Sequence, residues 1–382
     1  MNICVVTTNR SDFGLLKNLI IELKNNNFKV QVIAGGTHFS RKFGNTYTEI
    51  EGCGVKIDQK IYSKIKSDNA EDISRVFSAH VISSAKIFER LSPELIIVLG
   101  DRYEILAVTI AAHISRIPIA HIHGGELTSG LIDDAFRHSI TKMSHIHFVA
   151  NKIYKNRIIQ LGENPKNIFV VGGLGVDSIK KIKLLSQTDL EIRLKIKFNK
   201  KNLIVSFHPE TLNINKAKKQ IDELLSALNI LKDTTIIFTS PGLDLESQII
   251  VKKIKKFIKK NNNAYYFSSL GQVNYFSILN RVDAVVGNSS SGILEMPTFK
   301  KATVNIGDRQ SGRLKSSSII DCKIKKKAIT NALKKVYSKN FRNKLKYNKN
   351  VYGSFGASTK IVKILKIINL KNILFKKFYD IC

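Results

Sequence analysis

Apolar residues along this chain switch repeatedly between two periods. Ile3–Thr7 and Phe28–Ala34 are short β-rich runs, and Leu95–Leu99 is an unbroken apolar stretch, as in a strand buried on both faces. Between the first two runs, Leu15, Leu16, Leu19, Ile20 and Leu23 recur at helical spacing within Leu15–Asn25. Ile73–Leu91 reads as a longer helix stopped by Ser92-Pro93; helix Ile105–Ile114 and strand Ile117–Ile122 follow. The alternation then restarts: strand Leu203–Phe207, helix Lys216–Leu231, strand Thr235–Thr239, helix Ile249–Lys259, strand Ala284–Gly287, a helix start at Ser289–Met296 and strand Ala302–Ile306. Strand and helix in strict turn predict parallel sheets wrapped by helices. Two such series predict an α/β fold of two domains, residues 1–175 and 186–350, with a linker near Leu174–Leu185. Ser358-Thr359 reads as a cap before a last helix, Lys360–Phe375, in a tail of residues 356–382 that could dock on either domain.

Composition narrows the class. Apolar residues make up 43% and charged residues 24% of the 382, enough apolar surface for two cores. No apolar run reaches the ~18 residues of a membrane span, and the uncharged start Met1–Thr7 does not read as a signal peptide. Cys4, Cys53, Cys322 and Cys382 stand alone, with neither a paired Cys motif nor zinc spacing, so no metal site is expected and a reducing cytoplasm fits. The net charge is +32, and half of it lies in residues 322–382, which hold 17 basic residues and a single acid, Asp380. Such a tail would attract nucleic acid or an anionic membrane. A solvated lysine-rich surface explains it more simply, because no arginine-rich arm or RNA-binding aromatic motif accompanies it, so a nucleic-acid role is not expected. Acidic small substrates would also be drawn by this field.

In doubly wound sheets, ligands sit at the carboxyl ends of strands, so polar residues just after the predicted strands carry the chemical information. They are Thr8-Asn9-Arg10-Ser11-Asp12, Asp101-Arg102, His121-Ile122-His123-Gly124-Gly125-Glu126, His208-Pro209-Glu210-Thr211, Asn288-Ser289-Ser290-Ser291-Gly292 with Glu295, and Gly307-Asp308-Arg309-Gln310-Ser311-Gly312-Arg313. Each has a plain structural explanation. Asp101 could cap a helix, Gly124-Gly125 could be a tight turn, His121 could be a core histidine, the serines an N-cap, and Arg309 and Arg313 surface charges. The chemical alternative for the serines is phosphate binding, since small residues and free backbone N–H groups at a helix start admit an anion. Arginine suits bidentate phosphate contact. Asp133-Asp134 with Arg137-His138 adds acids and bases at helical spacing, capable of proton exchange if they face a cleft. No glycine motif of NAD-binding or P-loop proteins occurs.

Together, Gly100-Asp101-Arg102, His121–Glu126, Asp133–Lys142, Phe207–Thr211, Gly287–Gly292 and Gly307–Gln310 resemble the hydrolysing UDP-N-acetylglucosamine 2-epimerases of sialic-acid synthesis. The resemblance runs from Arg10 to about Arg313. It implies two Rossmann-like domains of the glycosyltransferase-B type facing a cleft that holds a UDP-sugar, no metal or redox cofactor, and a homo-oligomer. It implies loss of the C2 proton with expulsion of UDP, then hydration of the 2-acetamidoglucal to N-acetylmannosamine. By position, Asp101 and Asp133 match catalytic carboxylates. Arg10 and His208 match residues near the phosphates, Ser290 a phosphate ligand within Ser289–Gly292, Glu295 the ribose carboxylate, and Arg313 a nearby arginine. A third family carboxylate falls at His123, so either the imidazole or Glu126 takes its part. Relatives with His at this place include both N-acetylglucosamine enzymes and enzymes acting on the 2,4-diacetamido-2,4,6-trideoxy sugar of legionaminic-acid synthesis, so N-acetylglucosamine is the first reading and that sugar the alternative substrate. A retaining glycosyltransferase or a polyanion-binding protein are the remaining readings.

Overall fold

The computed structural model describes residues 1–41, 44–63, 69–128, 132–209, 216–241, 246–353 and 355–381. The chain forms two compact units. The first comprises residues 1–126, 132–178 and 352 onward; the second is chiefly Ile179–Val351. The division falls inside a helix, Leu174–Lys181.

The first unit holds strands β1 Asn2–Thr7, β2 Lys29–Ala34, β3 Gln59–Lys60, β4 Leu95–Leu99, β5 Ile119–Ile122, β6 Ile146–Val149 and β7 Ile168–Val170. All pair in parallel, in the order β3-β2-β1-β4-β5-β6-β7. Period-2 alternation sorts β1 between two cores. Ile3 and Val5 pack with Leu16, Leu19 and Ile20 of helix Arg10–Asn25, while Cys4 and Val6 pack with Phe88, Ile105 and Val108. Each such fully buried aliphatic side chain stabilises the fold by ~1.5–3 kcal/mol relative to exposure.

The second unit repeats the plan with β8 Lys201–Ser206, β9 Thr234–Thr239, β10 Ala264–Phe267, β11 Ala284–Gly287, β12 Ala302–Ile306 and β13 Ile319–Cys322. The order is β10-β9-β8-β11-β12-β13, again all parallel. Both are doubly wound Rossmann-like sheets, as expected. Their strand order reverses between β1 and β4 in one unit and between β8 and β11 in the other, and these are the places where such sheets take ligands.

Three details differ from the sequence expectation. Ser289–Met296 is not a regular helix: Ser291–Leu294 makes one turn, and Pro297 then opens a 3-10 turn, Met296–Phe299, because its ring cannot continue an α-helix. The last helix is Ala357–Ile367, not Lys360–Phe375. It stops where the Asn369 side chain captures the Lys371 N–H (2.8 Å) and Asn372 turns left-handed (φ 62°). Its start is capped not by Ser358 but from a distance, the Asp177 carboxylate accepting the Gly356 and Ser358 N–H groups at 2.7 and 3.1 Å. Ala357, Ile361, Val362 and Leu365 complete the core around Leu16 and Leu19, so this helix belongs to the first unit.

At the second reversal, Gly287 ends β11 with φ 138°, and a Cβ there would lie 2.0 Å from the Ser206 carbonyl oxygen of β8. No L side chain fits either constraint. Gly287→Ala is expected to lower the urea-unfolding stability by more than ~3 kcal/mol. Gly54→Ala, where φ is 72° but nothing lies within 4 Å, should cost only ~1 kcal/mol. Equal costs would remove the role given to the β8–β11 approach.

Candidate functional site

In the first unit, polar side chains gather behind β1, β4 and β5. Gly100 takes φ 80° at the end of β4, and Asp101 follows on half-buried backbone. Its carboxylate pairs with the guanidinium of Arg137, which is almost fully buried on helix Asp133–Met143. Arg137 also lies 3.7 Å from Asp134, which in turn lies 3.6 Å from His138. Arg102 forks onto Glu104 at 3.1 and 3.3 Å, and Glu104 is completely buried. Asp12 and Asp133 also act on the charge of Arg102. Asp133 opens its helix, where a carboxylate meets the positive end of the backbone dipole.

Asp12 accepts from the Thr8 hydroxyl at 3.0 Å and the Asn9 amide at 2.6 Å. Burial raises its carboxyl to about 6, against the lowering pull of Arg102. Arg10 is not drawn into this network; its guanidinium pairs with Glu49 at 2.9 Å.

The two histidines of β5 and its turn differ as expected. His121 is a core residue: its ring bridges the Gly100 carbonyl (2.8 Å) and the Thr141 hydroxyl (3.1 Å), and burial pushes it down to about 3. His123 sits just past the strand with φ 67°, a left-handed backbone that is uncommon outside glycine. The backbone N–H of Leu174, at the start of helix Leu174–Lys181, donates to His123 Nε2 at 3.4 Å. A backbone amide can only donate, so the ring proton resides on Nδ1. Nδ1 lies 3.2 Å from the carboxylate of Glu126, which is 2% exposed. Helix Lys152–Gln160 braces the turn: the Arg157 guanidinium donates to the Gly125 carbonyl at 2.5 Å, and a Cβ on Gly125 would strike the Tyr154 carbonyl at 2.5 Å.

In the second unit, Asn288 is the organising residue. Its side chain accepts from the His208 N–H (2.7 Å) and donates to the His208 carbonyl (2.8 Å), fixing His208 after β8. Its own carbonyl accepts from Gln310 (2.9 Å) and Arg309 (3.2 Å), which follow β12. Beside it, the Tyr275 hydroxyl donates to Ser291 Oγ at 2.8 Å; burial, with help from Glu295, raises that phenol far above its usual range. Gly292 is held against β12, where the Thr303 hydroxyl donates to its carbonyl at 2.6 Å and Thr303 Cγ2 would meet any Cβ at 2.6 Å. Glu295 is buried at the end of the single turn. That turn is too short for a large dipole, so an anion at Ser289–Gly292 would be met by backbone N–H groups and hydroxyls rather than by a helix macrodipole. Arg313 is half-buried on the loop after β12 that also carries Arg309, its backbone N–H reaching the Gln310 carbonyl at 3.4 Å. Glu210 and Thr211 lie outside the described residues.

Thus Asp101, Asp133, His123 and Glu126 all lie at the strand ends of the first unit, and His208, Ser289–Gly292, Glu295 and Arg309 at those of the second. Sequence reasoning gave no role to Tyr275, Glu104 or Asn288. The signal for Asn288 was present, since an amide directly after the buried strand β11 must find partners. Tyr275 and Glu104 lie inside helices Gly271–Arg281 and Tyr103–Ile114, where spacing alone reads them as ordinary surface or core. Among the described residues, no group of three or more His, Cys, Asp or Glu side chains could hold a metal ion, and no helix is long and apolar enough to cross a membrane.

Comparison with known proteins adds three findings. A family profile described as UDP-N-acetylglucosamine 2-epimerase matches residues 21–366. The GDP/UDP-N,N'-diacetylbacillosamine 2-epimerase (hydrolyzing) of Campylobacter jejuni is 41% identical over 99% of both chains, and the polysialic acid biosynthesis protein P7 of Escherichia coli 36% identical over 99% of this chain and 97% of that one. The UDP-N,N'-diacetylbacillosamine 2-epimerase (hydrolyzing) of Legionella pneumophila is 31% identical over 98% of each. Among solved structures, the UDP-GlcNAc 2-epimerase of Neisseria meningitidis bound to UDP-GlcNAc superposes with a TM-score of 0.84 at 17% identity, covering 96% of this chain and all of that one. The MnaA–UDP co-structure from S. aureus gives 0.82 at 15% identity over the whole of both chains. The fold is therefore the glycosyltransferase-B class expected.

Buried histidines of the first unit make stability depend on pH. Burial lowers His121 to about 3, and His38 and His145 to about 4, from an ordinary 6.5. The unfolded chain takes up these protons near pH 6.5 and the folded chain refuses them until about pH 4, so their contribution is full above 6.5 and lost as the pH falls toward 4. Asp12 opposes with the reverse sign, its contribution being full below 3.8 and lost as the pH rises through about 6. Three histidines against one carboxyl predict a urea midpoint that falls from pH 7 to pH 5. A flat or rising profile would contradict the buried, neutral rings.

Proposed function

Because the chain belongs to the UDP-N-acetylglucosamine 2-epimerase family, we propose that it is a hydrolysing 2-epimerase of a UDP-linked 2-acetamido sugar, and that the sugar is a 2,4-diacetamido-2,4,6-trideoxyhexose. The observation that carries the substrate is the 41% identity, over nearly all of both chains, to a protein named for the diacetylbacillosamine substrate; the Legionella relative bears the same substrate in its name. Sequence reasoning put UDP-N-acetylglucosamine first, and these relatives reverse that order. N-acetylglucosamine remains the second reading, supported by a Neisseria meningitidis UDP-N-acetylglucosamine 2-epimerase at 29% identity over 88% of this chain.

The chemistry follows from what such a sugar resists. Its C2 hydrogen is not adjacent to a carbonyl, so its removal must be coupled to departure of the leaving group. A base takes the C2 proton, the C2–H electrons form the C1=C2 double bond, and the C1–O pair leaves with UDP. Water then adds hydroxide at C1, and a proton returns to C2 from the opposite face. Each stage needs a placed acid or base, and the first needs the diphosphate charge stabilised.

In this reading Asp101 and Asp133 move protons, with Arg137 and Arg102 fixing their places. His123 takes the part of the missing carboxylate. Its proton is already on Nδ1 toward Glu126, so Nε2 is the nitrogen that would accept from substrate once it exchanges the Leu174 N–H for that bond, and Glu126 would stabilise the resulting imidazolium. His208, held by Asn288, and Ser289–Gly292 with Arg309 and Arg313 hold the diphosphate, and Glu295 the ribose. Arg10 reaches the phosphates only by leaving Glu49.

The purified protein is to be incubated in deuterated water with each UDP-sugar and the products followed by NMR. The expected outcome is UDP plus the free 2-epimerised diacetamido sugar carrying deuterium at C2, with slower turnover of UDP-N-acetylglucosamine. UDP release only with an added acceptor would indicate a glycosyltransferase, and an intact epimerised UDP-sugar a non-hydrolysing epimerase. Asp101→Asn and Asp133→Asn should each lower kcat by ~10²–10⁴ while UDP affinity by calorimetry stays within about threefold. Ser290→Ala and Glu295→Ala should weaken UDP about tenfold, a single lost hydrogen bond to a charged group. Near-normal turnover in Asp101→Asn would remove its assigned role.

A further inference from the structure

The segment after the last helix packs against the far end of the helix that carries Asp133 and Arg137. Lys376 is the anchor. Its Nζ donates to the carbonyls of Lys142 and Ser144, the latter at 2.7 Å, and pairs with Glu163 at 2.7 Å. Lys142 and Ser144 are the last turn and C-cap of helix Asp133–Met143, where carbonyls lack intrahelical partners and negative partial charge accumulates. A cation from more than 230 residues downstream therefore caps this helix.

Glu163 ties the cap to its surroundings. Its side chain is 3% exposed and is met by Lys142 at 2.8 Å and by His147 Nε2 at 3.1 Å as well as by Lys376. Burial alone would raise this carboxyl, but the bonds from His147, Lys142 and Lys376 outweigh it and hold it at about 2. Two further contacts clamp the segment over the turn after helix Lys152–Gln160. The Tyr379 N–H donates to the Gly162 carbonyl at 2.9 Å, and the Phe378 ring fills the space of a Cβ at Gly162, 2.3 Å from where that atom would stand. Lys142 Nζ lies 4.7 Å from the centre of the same ring. Both helices so fixed reach the candidate site from their other parts: one through Asp133 and Arg137, the other through Arg157 on the Gly125 carbonyl beside Glu126.

We propose that Lys376 is a positioning residue for the reaction: by capping helix Asp133–Met143 from the C-terminal strap, it holds Asp133 and Arg137 in register with Asp101. This rests on the proton-transfer role proposed above for Asp101 and Asp133. The strap is then part of the machinery rather than a basic tail for polyanions.

The test is Lys376→Met in the full-length chain, with Lys376→Arg as the conservative variant. Unfolding is followed by circular dichroism, and assays are run well below the transition. Expected are a kcat lowered at least ~10-fold, as a displacement near 1 Å can cause, with KM and UDP affinity within about twofold. Arginine, which keeps the charge and the donors, should recover most of kcat. A folded Lys376→Met enzyme with kcat within twofold of the unmodified protein would overturn the proposal, as would equal losses in the methionine and arginine variants. Amide hydrogen exchange over residues 139–144 gives a readout that needs no substrate: at least ~10-fold faster exchange in Lys376→Met is expected, and unchanged exchange overturns the positioning role. If the unmodified protein releases UDP from neither sugar, the epimerase reading fails, and exchange alone decides the strap.

Discussion

All strands of a parallel sheet end on the same side, and that constraint governs the rest of this molecule. Buried strands have their backbone groups paired along their length, but at the carboxyl edge the chain must leave the sheet, and its polar groups find partners there or not at all. Where the strand order reverses, the two connections diverge to opposite faces and leave the edge open. The first unit opens between β1 and β4, the second between β8 and β11. The residues at those edges are the ones with chemistry: Asp12 and Asp101-Arg102 in one, His208 and Asn288–Ser291 in the other. Gly287 permits the close approach of β11 to β8 that sets this edge.

The charged groups at these edges are mostly held by one another. Arg137 holds Asp101, Arg102 holds Glu104, and Asn288 holds the backbone of His208 on both its donor and acceptor sides. Such pairing offsets the cost of taking charge out of water, and it also fixes geometry, which is what proton transfer requires. The His123–Glu126 pair shows both effects. A left-handed backbone at His123 turns the ring so that the Leu174 amide meets one nitrogen, and this settles which nitrogen carries the proton. A carboxylate at this position would need no such arrangement; an imidazole does, because only one of its nitrogens can accept at a time.

Most fully buried strands were legible in the sequence, although β6, Ile146–Val149, is buried throughout and was missed because His147 interrupts its apolar run. Leu95–Leu99 has the bounds that its unbroken apolar run suggests, and Ala302–Ile306, in which Ala, Val and Ile alternate with Thr and Asn, keeps the bounds read from that alternation. Edge strands β3 and β7, with two and three residues and partly exposed faces, give no such run. Two helix ends were less legible, because they are set by partners far along the chain. Asp177 caps the last helix and Lys376 caps helix Asp133–Met143, and no local pattern announces either. The same holds for the site. Strand-end residues could be named from position, and His121 could be told from His123 by its place within the alternation. The clamp by Asn288 and the pairing of Arg10 with Glu49 are decided only by packing.

Charge patterning misleads in the C-terminal segment for a related reason. Seen along the sequence, residues 322–382 are a basic run with one acid, the usual mark of a solvated or polyanion-binding tail. In three dimensions one of those lysines is committed to a buried carboxylate and two helix-end carbonyls, while Lys142, from another part of the chain, shares the same carboxylate. A half-buried ammonium so placed forfeits part of the hydration that water supplies freely on the surface, and burial does lower the proton affinity of Lys376 against the pull of Glu163. A cost of that kind is retained when the geometry it fixes matters elsewhere. The helix it fixes begins with Asp133.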